Sequence, residues 1–90
     1  MKNVLLFGYG KMGSSIARGW IIKKLNFNVF IIEKQPSLIK IANNDGFKAY
    51  ENIERLRENQ KSKIFDIIFL AVKPQQMEET VKNFFKFNLH

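Results

Sequence analysis

The chain has 90 residues, 46% of them hydrophobic, no cysteine and a net charge of +7. That length fits one small domain with a real core, which excludes wholesale disorder. The missing cysteines exclude a disulfide framework and thiolate chemistry, as suits a reducing compartment. The apolar stretch after Met1-Lys2 breaks at Gly8, too early for a secretory signal, and no run is long enough to span a bilayer. A cytoplasmic protein without a membrane segment is expected.

In chain order, residues 3–7 are short, continuous and apolar, and predict a buried strand ended by Gly8. Residues 11–24 predict a helix. Met12, Ile16 and Trp20 fall four apart, with Ala17 and Ile21 in the adjacent row, so these five are expected on its inner face. Val29 to Ile32 is a second buried strand, rich in β-branched residues. Gln35-Pro36-Ser37 starts a short helix with Leu38, Ile41 and Ala42 turned inward and Gly46 after its end. A brief strand over 47–50 follows, then a helical stretch over 51–57 anchored by Ile53 and Leu56, and a polar loop over 58–63. Ile64 to Val72 predicts the longest strand, interrupted only by Asp66 and closed by Pro74. Residues 75–87 predict a last helix with Met77, Val81, Phe84 and Phe85 inside. The alternation of strands and helices predicts an α/β fold: a Rossmann-like, doubly wound parallel sheet with right-handed crossovers and strand order 3-2-1-4, the first half of such a sheet plus one strand.

The chemistry concentrates in Gly8-Tyr9-Gly10-Lys11-Met12-Gly13, a Gly-x-Gly-x-x-Gly run between the first strand and the first helix. In such a run the first glycine permits the tight turn and the second lets a pyrophosphate approach the backbone. The third lets the helix pack close to the sheet. Free N–H groups near Lys11 and Met12 would then point at the phosphates, aided by the helix dipole. Glu33 ends the second strand twenty positions after Gly13, where an acid accepts hydrogen bonds from the adenosine ribose and repels a 2′-phosphate. Lys34 follows and could pair with that phosphate instead, so NAD and NADP both stay open as cofactors. Ala71 and Val72 end the fourth strand, where ligands of these sheets bind, and their backbone would line the groove; Lys73 could face a phosphate or carboxylate. No cluster has metal-ligand spacing, and no nucleophile has a base partner, so no catalytic residue is assigned.

Together, residues 8–19 and Phe69-Leu70-Ala71-Val72-Lys73-Pro74-Gln75 resemble the N-terminal domain of pyrroline-5-carboxylate reductase across essentially the whole chain. The resemblance implies NAD(P)H-dependent reduction of the C=N bond of pyrroline-5-carboxylate to give proline. It implies that Gly10, Lys11, Met12, Ala71, Val72 and Lys73 hold the cofactor, and that Asn52 helps on the adenosine side. Members of that family often carry small polar or basic residues where this chain has Glu33-Lys34. They also continue into a helical domain that forms the dimer and much of the substrate pocket. This sequence is expected to be the dinucleotide-binding domain over 1–90 without that domain, and to catalyse little alone, because hydride transfer depends on positioning.

Two other readings compete with a reductase module: a non-enzymatic dinucleotide-binding or interaction module, and the remnant of a split or decayed gene. The lysines do not form a block and most of the nine phenylalanines fall at core spacing, so nucleic acid is not an expected partner. The fourth strand is expected to be an exposed apolar edge, open to self-association or to a complementing C-terminal chain.

Overall fold

The computed structural model describes residues 1–88, with side chains as far as Phe84. The expectation for the Phe85 side chain lies outside the described residues. The elements are β1 (Lys2–Phe7), α1 (Lys11–Ile22), β2 (Phe27–Ile32), α2 (Pro36–Asn44), β3 (Lys48–Tyr50), α3 (Ile53–Asn59), β4 (Ile67–Leu70) and α4 (Pro74–Asn88). The four strands are parallel in the order β3-β2-β1-β4, as the sequence predicts.

β1 lies at the centre because both of its faces are apolar. Val4 and Leu6 point to one side, where they meet Ala17 of α1 and Ala42 of α2. Leu5 and Phe7 point to the other, where they meet Ile53 and Leu56 of α3 and Phe84 of α4. The period of two along one strand thus builds a three-layer sandwich. Burial of Val4, Leu5, Leu6 and Leu56 contributes about 1.5–3 kcal/mol each. Helices α1 and α2 on one face, with α3 and α4 on the other, are the arrangement right-handed crossovers give for this strand order.

The helix faces differ from the predicted ones. On α1 the buried residues are Gly13 and Ala17, with Ile16 and Trp20 half-buried, while Met12 and Ile21 are 56% and 52% exposed. The helix approaches so closely through Gly13 that Gly13 and Ala17 lie against the sheet, with Trp20 packed beside them, and Met12 and Ile21 are turned out. On α2, Ala42 is buried and Ile41 is exposed. The third helix starts two residues later than predicted because Asn52 caps it, its Oδ1 accepting the Arg55 N–H at 2.8 Å.

The fourth strand is four residues long, not nine. Asn3 and Asp66 exchange bonds before the ladder begins. The Asn3 N–H donates to the Asp66 carboxylate, the Asp66 N–H donates to Asn3 O, and the Asn3 amide reaches Ile64 O. These contacts divert the chain, leaving Ile64 78% exposed. Apolar residues do occupy both faces of β4: Ile67 joins one core and Leu70 the other, and Phe69 packs on Trp20 with ring centroids 5.1 Å apart. Ile68 stays exposed along this edge. The opposite edge differs, since the Asn43 side chain accepts the Ala49 N–H of β3.

Helix α1 ends in a six-residue hydrogen-bonded stop. Leu25 N–H donates to Trp20 O and Lys24 N–H to Ile21 O, with Lys24 at φ +57°. Lys23 and Lys24 therefore lie at and beyond the cap rather than in the last turn. A left-handed conformation is costly for a lysine and free for a glycine. Lys24→Gly should stabilise the fold by about 0.5–1 kcal/mol after the unfolded-state entropy offset. Thermal unfolding should show Tm rising by a few degrees; a fall would mean that the Lys24 side chain makes a compensating contact.

Candidate functional site

The strands β1, β2 and β4 end side by side, and the glycine turn sits over them. Gly8 N–H donates to Ile32 O at the end of β2, and Ala71 N–H donates to Phe7 O, both at 2.8 Å. Gly8 has φ +99°, and a Cβ there would lie 2.5 Å from Ala71 O. A Cβ on Gly13 would lie 2.0 Å from Gly8 O. These two glycines and Ala71 form one tight packing contact between α1, β1 and β4.

Gly10 is different, because a Cβ there would meet nothing of the protein within 4 Å. It caps α1 in an extended conformation with no side-chain cap, and the first turn holds no acid. The first bond of the helix runs from Ser14 N–H to Gly10 O. The N–H groups of Lys11, Met12 and Gly13 precede that bond and carry the positive end of the helix dipole. An open cradle over uncapped amides fits a phosphate group.

Glu33 is half-buried at the end of β2. One carboxylate oxygen accepts Tyr9 N–H at 2.8 Å and the other accepts Gln35 N–H at 2.9 Å. The acid is thereby held beside the glycine turn with lone pairs still free on both oxygens. Lys34 next to it is exposed.

The structure therefore gathers Gly8, Gly10, Lys11, Met12, Gly13, Glu33 and Ala71 around one turn. Val72 packs into the core on the α3/α4 side, and Lys73 is exposed beyond it. Asn52 lies along the same carboxyl edge of the sheet but past β3, two strands from Gly8, with its Oδ1 engaged in capping α3. An open hollow lined by Ile39, Lys40, Asn43, Tyr50 and Arg55 lies against the outer side of β3 and includes none of these residues.

Sequence reasoning passed over Tyr9. Its ring is buried against Phe47 and its hydroxyl donates to the Asp45 carboxylate at the end of α2. Arg18 of α1 donates to the same oxygen from Nε at 3.0 Å and from Nη2 at 2.9 Å. Burial and the Asp45 carboxylate together raise the pKa of the phenol. In return, the hydrogen bond from Tyr9, joined by Arg18, outweighs desolvation and holds the Asp45 carboxyl below its ordinary value. A tyrosine between two glycines of the turn is visible in the sequence, but its partner thirty-six residues away is not.

A parallel sheet whose first strand turns through a glycine run into an uncapped helix, with an acid closing the second strand, defines a Rossmann-type dinucleotide-binding domain. Residues 3–89 match the family model described as NADP oxidoreductase coenzyme F420-dependent. The chain belongs to that family of NAD(P)-binding oxidoreductase domains. Comparison with curated proteins and with solved structures gives no match. Among the described residues, no helix is long and apolar enough to cross a membrane and no acid, histidine or cysteine cluster could hold a metal ion.

The three glycines should respond differently to alanine. Gly8→Ala and Gly13→Ala each drive a Cβ into backbone, and Gly8 adds left-handed strain, so each should cost about 3 kcal/mol or more. Gly10→Ala should leave stability nearly unchanged. Denaturant unfolding of the three variants checks this, and a Gly10→Ala loss comparable to the others would contradict the open cradle.

Asp45 makes the fold acid-sensitive. Because its folded pKa is depressed, its contribution is complete above about pH 4 and is lost as pH falls through the lower folded value. Urea unfolding at pH 7 and pH 3 should show a larger acid loss for the native chain than for Asp45→Asn. Equal losses would place the acid sensitivity elsewhere.

Proposed function

We propose that this chain is the cofactor-binding module of a reductase of the pyrroline-5-carboxylate reductase kind. In this reading it takes NADH in preference to NADPH. The observation that carries the reading is the uncapped α1 N-terminus beside Gly10, flanked by the Ala71-Val72-Lys73-Pro74 segment at the end of β4. The cradle would receive the pyrophosphate on the N–H groups of Lys11, Met12 and Gly13. Glu33, fixed by Tyr9 and Gln35, would accept from the adenosine ribose and oppose a 2′-phosphate. The backbone of Ala71 and Val72 would line the groove, with Lys73 at its rim and Asn52 toward the adenosine. When bound, the nicotinamide supplies a hydride. The chain's own part is binding and orientation.

In this reading the imine is held by a helical domain, and turnover by residues 1–90 alone should be small. The bare edge of β4 is where a second copy or such a complementing chain would join.

Calorimetric titration with NADH and with NADPH tests the assignment. NADH should bind about tenfold or more tightly, a difference of about 1.4 kcal/mol. Glu33→Gln should narrow the gap, and Gly10→Val should abolish binding in a folded protein. Equal retention of binding by Gly10→Val would exclude the cradle as the phosphate site.

A further inference from the structure

We propose that Tyr9, Asp45 and Arg18 form a latch that positions the glycine turn for its ligand, with Tyr9 as the positioning residue. The inference rests on the dinucleotide reading of that turn. Tyr9 lies between the glycine that packs and the glycine that stays open. It is held at both ends: Glu33 takes its backbone N–H, and Asp45 takes its hydroxyl. Asp45 in turn belongs to the end of α2 and is gripped by Arg18 from the second turn of α1. The guanidinium also lies 6.0 Å from the centre of the Tyr9 ring. One buried phenol therefore joins the turn, α1 and α2 through a single carboxylate.

The geometry gives this bond a role beyond holding the core together. Gly10 is fixed on its helix side, where its carbonyl accepts the Ser14 N–H, and nothing else of the protein lies within 4 Å of where a side chain would begin. A glycine so placed has wide conformational freedom. Its direction is set by its neighbours, and Tyr9 is the neighbour anchored on the loop side. Freeing the phenol lets the turn sample conformations in which the first amides of α1 no longer converge. Apparent affinity then falls by the fraction of time the turn is competent. The residue acts through the backbone of the turn and makes no contact with the ligand itself.

The test compares the native chain with Tyr9→Phe, Asp45→Ala and Asp45→Asn at a temperature where all are folded, reading NADH affinity and amide relaxation dispersion over Gly10 to Gly13. Tyr9→Phe and Asp45→Ala should weaken NADH binding about tenfold or more and bring exchange broadening to those amides. Asp45→Asn, which keeps an acceptor for the phenol, should recover most of both. A bond of purely structural value would lower Tm while leaving affinity and broadening of the folded protein unchanged, and that outcome overturns the latch. If the native chain binds neither NADH nor NADPH, the dinucleotide reading fails. The broadening then decides the latch alone: its appearance in Tyr9→Phe supports the latch and its absence overturns it. Should Tyr9→Phe not fold, the contrast between Asp45→Ala and Asp45→Asn carries the same decision.

Discussion

Everything in this fold hangs on a close approach of backbone to backbone. The Gly13 Cα sits so near the Gly8 carbonyl, and Gly8 so near the Ala71 carbonyl, that no side chain could begin at either glycine. The contact brings α1 down onto β1 and β4 at once. It also decides which face of the helix is inner, because once Gly13 is against the sheet, Ala17 must follow one turn later. The exposed Met12 and Ile21 are the consequence. The same contact fixes the height of the helix N-terminus above the strand ends, and so the position of the amides that precede the Ser14–Gly10 bond. Packing and binding geometry thus have one origin.

Much of the fold was legible because its signals are local. Four apolar runs separated by glycine, proline and polar turns give four strands. The two apolar faces of β1, Val4-Leu6 and Leu5-Phe7, require layers on both sides of a central strand. What was not legible depends on partners far along the chain. The start of β4 is set by Asn3, more than sixty residues away, and an apolar run read alone extends it over Ile64. Helix faces misled for a related reason: periodicity finds the large apolar residues, whereas the contact that sets rotation is made by the small ones. Ile41 and Ala42 of α2 repeat the lesson of Met12 and Gly13 on α1.

At the site, spacing supplied the glycines and Glu33 because the chemistry is written in neighbouring positions. It could not supply the use to which Glu33 is put inside the protein, with Tyr9 and Gln35 on its two oxygens. Nor could it supply Asp45, which in the sequence is one more polar residue before a glycine. The Asp45 contacts arise only when α1 and α2 lie on the same face of the sheet, which follows from strand order rather than from any motif. The sequence therefore supplies the motif, and the structure supplies the hydrogen bonds around it.

The two edges of the sheet are unequal. β3 is three residues long and its outward Ala49 N–H is already taken by Asn43, whereas among the described residues no side chain caps β4 beside the exposed Ile68. A sheet with two bare edges can add strands without end; a sheet with one cannot. If two copies met through β4, each would spend that edge, and what stayed outward would be the short β3 with its Ala49 N–H already bonded. Asn43 therefore works against growth past β3, because a further strand would have to displace it from the Ala49 N–H.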